Sequence, residues 1–274
     1  KNVEIPLLEL SDERYLDVQG NLSLLNWDAK HDMFIQAELK NLSVTQPGIR
    51  YFMDNLTGSV PSILDRMEFV RFKGSAGGYF HDLQVGGLLQ TAAGVVDANL
   101  LINSDSDFKR TYSGGVKSKN LNLGKLLGDS KFGHTQFNVE LKGFNYNDKY
   151  PESYIKGIVS SFDYSGYCYE NISLDGIYKD GGFNGHLALD DENGKVRIDG
   201  SFNIAEKISD FNLYATIQNL RLDKLNLSDK YIDSDISFNL NADFTGSSID
   251  DVNGRILLDS LVLNAPQDKG YSLD

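Results

Sequence analysis

Phe211–Gly246, FNLYATIQNLRLDKLNLSDKYIDSDISFNLNADFTG, is the stretch from which the fold is read. Phe211, Leu213, Ala215 and Ile217 alternate with Asn212, Tyr214, Thr216 and Gln218. After an insert over 219–235 a second alternation begins. It places Ile236, Phe238, Leu240, Ala242 and Phe244 on one side and Ser237, Asn239, Asn241, Asp243 and Thr245 on the other. Side chains of an extended chain point to opposite faces with a period of two, so each run predicts a strand with one dry and one wet face.

The pattern recurs. Tyr112–Gly143 carries the same Asn-Leu-x-Leu-x-Lys-Leu core at Asn120–Leu126 as stands at Asn219–Leu225, and a weaker copy begins at Phe34, with Asn41-Leu42 in the matching place. A unit recurring at long, uneven spacing predicts a β-rich array with insertions, in modules over 1–109, 110–208 and 209–274 of one fragment. The chain opens at Lys1 in mid-pattern and stops at Asp274 just after another strand, so it reads as a piece of something longer.

Outward from the core stretch, further alternating runs appear at Tyr15–Leu24, Met33–Leu39, Ile155–Tyr164, Tyr167–Leu174, Phe183–Leu189 and Val196–Ile204. Asp180-Gly181-Gly182 and Asn193-Gly194 predict tight hairpins between them, and Asn253-Gly254 predicts another before Arg255–Leu263. Gly77-Gly78 and Gly114-Gly115 read as bulges or turns. Segments 47–56 and 61–67 lose the alternation and start with Pro, which predicts short helices. Leu123–Asp129 is long enough for one helical turn capping a strand pair. The fold expected from these runs is all-β and antiparallel, with one apolar face throughout and one or two short helical turns.

Composition narrows the function. The formal net charge of −13 opposes a nucleic-acid partner, because neutralising phosphates needs clustered Lys and Arg. No apolar run reaches the length of a membrane span. The single cysteine, Cys168, sits between Tyr167 and Tyr169 in a strand-like run without a nearby base, and reads as a small strand residue. His31, His81, His134 and His186 are scattered and lack metal-ligand spacing. The acidic groups Asp105-Ser106-Asp107 and Asp190-Asp191-Glu192-Asn193 lack the spacing of a calcium loop. No nucleophile elbow, Walker loop or dinucleotide fingerprint occurs, so neither a catalytic residue, a metal nor a cofactor is assigned.

A sheet whose apolar face repeats over hundreds of residues must cover it by folding into a sandwich, a barrel or a solenoid, or leave a trough for an apolar ligand. The residues expected to line such a trough are Val196, Ile198, Phe202, Ile204, Phe211, Leu213, Ile217, Ile236, Phe238, Leu240 and Phe244.

The segments Lys119–Asp129, Phe132-Gly133, Tyr167–Gly176 (YCYENISLDG), Phe183–Gly185 and Leu189–Asp191 resemble the AsmA-like/TamB proteins, in particular those of Bacteroidetes, and the similarity spans most of Phe34–Leu263. The resemblance implies a β-taco, a long curved sheet with an apolar groove. It implies phospholipid acyl chains as the bound partner and a non-enzymatic part in lipid transport and outer-membrane biogenesis. A periplasmic location follows from it, with an inner-membrane anchor and an outer-membrane assembly barrel of the TamA/BamA kind engaged outside this fragment. Two other functions fit the residues. One is a scaffold whose sheet edges pair with client strands during barrel assembly. The other is a secreted carbohydrate-binding or adhesin domain with Tyr146, Tyr150, Tyr154, Tyr164, Tyr167 and Tyr169 as a stacking platform.

Overall fold

The computed structural model describes residues 1–29, 32–57, 62–104, 110–144, 152–203, 209–246 and 251–266. The chain is all-β and divides into two compact units, Lys1–Pro151 and Glu152–Asp274, the division falling inside the module expected over 110–208.

The first unit holds β1 (Val3–Asp12), β2 (Leu16–Leu25), β3 (Phe34–Thr45), β4 (Phe69–Tyr79), β5 (Asp82–Thr91), β6 (Gly94–Ser104), β7 (Arg110–Asn122) and β8 (Phe132–Phe144). Each strand pairs antiparallel with the next in chain order. Three short helices interrupt it: α1 (Gln46–Thr57) and α2 (Ser62–Arg66) between β3 and β4, and α3 (Leu123–Leu127) between β7 and β8. All three match the expected helical segments. The second unit follows the same plan with β9 (Glu152–Tyr164), β10 (Tyr167–Lys179), β11 (Gly182–Asp191), β12 (Gly194–Asn203), β13 (Asp210–Leu220), β14 (Asp235–Thr245) and β15 (Asn253–Asn264). In neither unit do the first and last strands pair, so each sheet is open.

Hairpin chemistry explains the meander. Ser165-Gly166 and Asp180-Gly181 each place two successive residues at positive φ, 50° and 82° in the first and 53° and 79° in the second. Two such residues make the tight turn whose twist matches the strands it joins. Three glycine readings are corrected. Gly77-Gly78 lies inside β4, Gly114-Gly115 inside β7 and Asn253-Gly254 inside β15, all in continuous register with the neighbouring strand. At Gly78, Gly114 and Gly254 the reason is close approach rather than turning: a Cβ on Gly254 (φ 145°) would meet the Phe244 Cα at 2.5 Å. The edge strand β1 has no alternation to reveal it, since Pro6 falls where its register with β2 breaks between Ile5 and Leu8.

The repeated sequence unit has a structural counterpart. The ladders β3–β4, β7–β8 and β13–β14 shift register at Leu39/Leu42, Ser118/Leu121 and Ile217/Leu220, at or beside the Asn-Leu of each copy. After each shift the chain leaves the sheet for a connector. In the second copy Asn122 caps α3, its Oδ1 accepting from the Lys125 N–H at 2.8 Å, and Gly128 ends it at φ 73°. Leu126 is then buried with Ala93 and Leu121 against Met67, Val96, Leu123 and Phe137. In the third copy Leu225 is the one fully buried large side chain among the described residues. The final leucine of the motif is therefore a plug set over one rim of the sheet.

Candidate apolar binding face

Register places the expected trough residues of the second unit side by side. Val196 stands opposite Ile217, Ile198 opposite Ala215, Gly200 opposite Leu213 and Phe202 opposite Phe211. One strand further, Ile217 faces Phe238, Ala215 faces Leu240, Leu213 faces Ala242 and Phe211 faces Phe244, while Ile236 pairs with Leu220 beyond the bulge. Ile204 lies outside the described residues. The remaining ten share one face, because directly opposed residues of an antiparallel pair point the same way.

The rows extend past the residues singled out from the sequence. Leu187 and Leu189 on β11 continue the Ile198 and Val196 rows, and Leu174 and Ile172 carry them to β10. On the far side, Ile256 and Leu258 of β15 continue the Ala242 and Leu240 rows. At the rim opposite the Leu225 plug, Phe183 and Phe202 lie 5.8 Å apart, and Phe211 and Phe244 stack at 4.7 Å with 19° between their planes. Four adjacent strands thus each contribute one phenylalanine to a ladder.

No second layer covers this face among the described residues. A closed two-layer core in a chain of this length buries its aliphatic residues wholesale. Among the described residues ten hydrophobic ones are buried, Ala215, Ile217 and Ala242 on this face being three of them. Most of the trough residues, including Val196, Ile198, Phe202, Phe211, Leu213, Phe238, Leu240 and Phe244, are half-buried. The alternate positions Arg197, Asp199, Asn212, Tyr214, Asn241 and Asp243 are exposed on the other side.

The plug is tied down by hydrogen bonds that the sequence does not announce. The hydroxyl of Tyr169 donates to the Leu225 carbonyl at 2.8 Å, and the Asn226 side-chain amide donates to the Ser165 carbonyl at 3.2 Å. Tyr167 donates to Asp191 at 2.5 Å, and Asp191 also accepts from the backbone N–H groups of Glu170 and Asn193. Asn171 (φ 54°) breaks the alternation of exposed and half-buried positions in β10, so that Tyr167 and Tyr169 fall in phase with Ile172 and Leu174. Burial and the hydrogen bond to Asp191 push the Tyr167 phenol up to about 12. Tyr154 stands opposite Ile177 and donates to Asp175 at 2.6 Å, whereas Tyr167 and Tyr169 serve the plug. Tyr146 and Tyr150 lie outside the described residues, as do His31 and Asp105-Ser106-Asp107.

Reactive groups are engaged structurally. Cys168 is exposed, and a hydrogen bond with Asp163 followed by burial pushes its thiol up, away from the thiolate. His186 pairs across the ladder with Asp199, and His81 sits in the β4–β5 turn, its ring 5.7 Å from that of Tyr79. Among the described residues no group of three or more His, Cys, Asp or Glu is placed to hold a metal ion, and no helix is long and apolar enough to cross a membrane.

Among the described residues of the second unit one apolar face lies without a second layer on it, in an all-β, open-sheet chain. No family model, no curated protein and no solved structure matches it.

Proposed function

We propose that the chain is a non-enzymatic lipid-conduit segment in which the apolar face solvates phospholipid acyl chains. The observation that carries this reading is the run of apolar rows across β10–β15, unbroken and uncovered by a second layer. Each aliphatic side chain left in water forgoes roughly 1.5–3 kcal/mol of burial. A face of ten or more half-buried aliphatic and aromatic residues therefore gains stability from an apolar occupant, and an acyl chain asks for no polar partner. The resemblance of the repeated unit to AsmA-like/TamB proteins adds the setting. The chain would act in the periplasm, within a longer anchored protein that meets an outer-membrane assembly barrel, in lipid transport and outer-membrane biogenesis.

A photoreactive residue in place of Ile198, Leu213 or Phe238 tests the reading directly. Irradiation in the presence of phospholipid vesicles is expected to give lipid adducts at all three. Adducts with polypeptide alone would transfer the face to client-strand binding, and no adduct at any position would overturn the proposal.

A further inference from the structure

We infer that the wet face of the second unit binds a monoanionic amphiphile, a medium-chain carboxylate, with Arg197 holding its charge and Ile158 seating its apolar end. An open depression of about 410 Å³ lies over the middles of β9–β12, away from the strand ends. One cross-strand row forms its floor: Ile158 stands opposite Ser173, Ser173 opposite Ala188, and Ala188 opposite Arg197. The two central side chains are short, so the floor is low. The neighbouring row, Lys156, Asp175, His186 and Asp199, carries longer side chains and makes a wall beside it. Ile158 departs from the two-faced rule of these strands, since it is apolar on the wet side and 54% exposed. A hydrocarbon laid on it removes apolar surface of both partners from water.

The charges of this patch leave one cation over. Asp175 is held by Lys156 at 2.8 Å and by the Tyr154 hydroxyl at 2.6 Å. The carboxylates nearest to Arg197 by register are Asp199, two residues along β12, and Asp190, diagonally across on β11. Asp199 pairs with His186, and Asp190 pairs with Lys195 at 2.8 Å. Arg197 itself forms no ion pair among the described residues. Its guanidinium is a planar fork of donors that fits a carboxylate with two parallel bonds. One spare positive charge between two engaged carboxylates matches a single negative charge, whereas Asp190 and Asp199 repel a dianionic phosphate monoester. From Arg197 the apolar body crosses Ala188 and Ser173 to Ile158, three strand spacings or about 14 Å away. An extended peptide fits less well. The backbone groups beneath are already paired in the ladders, and the row offers only the Ser173 hydroxyl besides Arg197. The site lies on the opposite side of the sheet from the apolar face and does not rest on the lipid-conduit reading.

Calorimetric titration of the 274-residue chain with decanoate, kept below its micellar concentration, tests the site. Decanoate also suits the apolar face, so each titration is repeated in a Leu213→Asp background. Saturable binding is expected to persist there and to weaken at least about tenfold in Arg197→Gln. Ile158→Ser is expected to weaken it as well, and decylammonium to bind less tightly than decanoate. Both replaced side chains are exposed, so the far-ultraviolet dichroism of the sheet stays as it is. Absence of saturable decanoate binding in the Leu213→Asp background overturns the inference. So does binding indifferent to Arg197→Gln or to Ile158→Ser, or decylammonium binding the more tightly. Lipid adducts on the apolar face without Arg197-dependent binding leave the proposed function standing and remove this inference alone. Arg197-dependent binding without lipid adducts does the reverse.

Discussion

The Tyr169 hydroxyl, on β10, donates to the carbonyl of Leu225, in the connector between β13 and β14, across three intervening strand pairings. The bond joins parts of the second unit that share no ladder, and the Leu225 side chain on the same residue is fully buried. Leu225→Ala is expected to destabilise the chain by roughly 2–5 kcal/mol, the transfer term plus the cavity it leaves. Tyr169→Phe removes only the hydrogen bond and should cost about 1 kcal/mol, with the Leu225 carbonyl rehydrated from the rim. Urea unfolding of the two variants checks both the order and the size.

Two glycines that look alike in sequence are expected to respond with opposite signs. Gly185 has φ 155°, and a Cβ there would run into the Asp175 carbonyl and meet the Gly176 Cα at 2.5 Å. Gly185→Ala should therefore cost more than about 1 kcal/mol. Nothing lies within 4 Å of a Cβ placed on Gly77, so Gly77→Ala should be neutral or stabilise by about 0.4–1 kcal/mol through the unfolded chain. Paired denaturation midpoints decide it.

Tyr167 sets an alkaline limit. Its phenol is raised to about 12 by burial first and then by the bond to Asp191. A group whose folded value lies above its unfolded one, near 10, favours the folded state fully below pH 10. That contribution is lost as pH rises from about 10 through about 12. Absorbance titration at alkaline pH should show a late phase of tyrosine ionisation to which Tyr167 contributes, with unfolding following it. Tyr167→Phe should shrink that late phase and flatten the fall in stability between those pH values.

The two faces should differ in what they capture. A photoreactive side chain at Leu213 is expected to label phospholipid, and the same group one residue along, at the exposed Tyr214, is not. Leu213→Asp should lower lipid co-purification seen by native mass spectrometry while the far-ultraviolet dichroism of the sheet persists. The site is half-exposed, so the carboxylate stays hydrated and the sheet keeps its pairing.

Most of this fold was legible because alternation survives wherever one side of a strand is dry. Phe211–Ile217 and Ile236–Phe244 announce both their strands and the face they share, and ten of the eleven trough residues can be placed together by parity once the register is known. Three things were not legible. Pro6 and a register break hide β1. Glycines used for close strand approach, as at Gly78 and Gly114, have the same spelling as turns. The left-handed Asn171 reverses the phase in the middle of β10, so the alternation of the sequence alone does not show that Tyr169 holds the plug. The repeat at Asn120 and Asn219 was visible as spelling, but its meaning, a register slip followed by a buried leucine, needed the ladder.

Because every strand of each unit is bonded only to its neighbours in the chain, no pairing waits for distant segments to meet. Closing the short hairpins costs little entropy, so these sheets are built to zip up from a starting hairpin, with the longer connectors over 46–68 and 221–234 as the slower joins. Under tension along the chain, resistance would come in small equal steps rather than one large rupture.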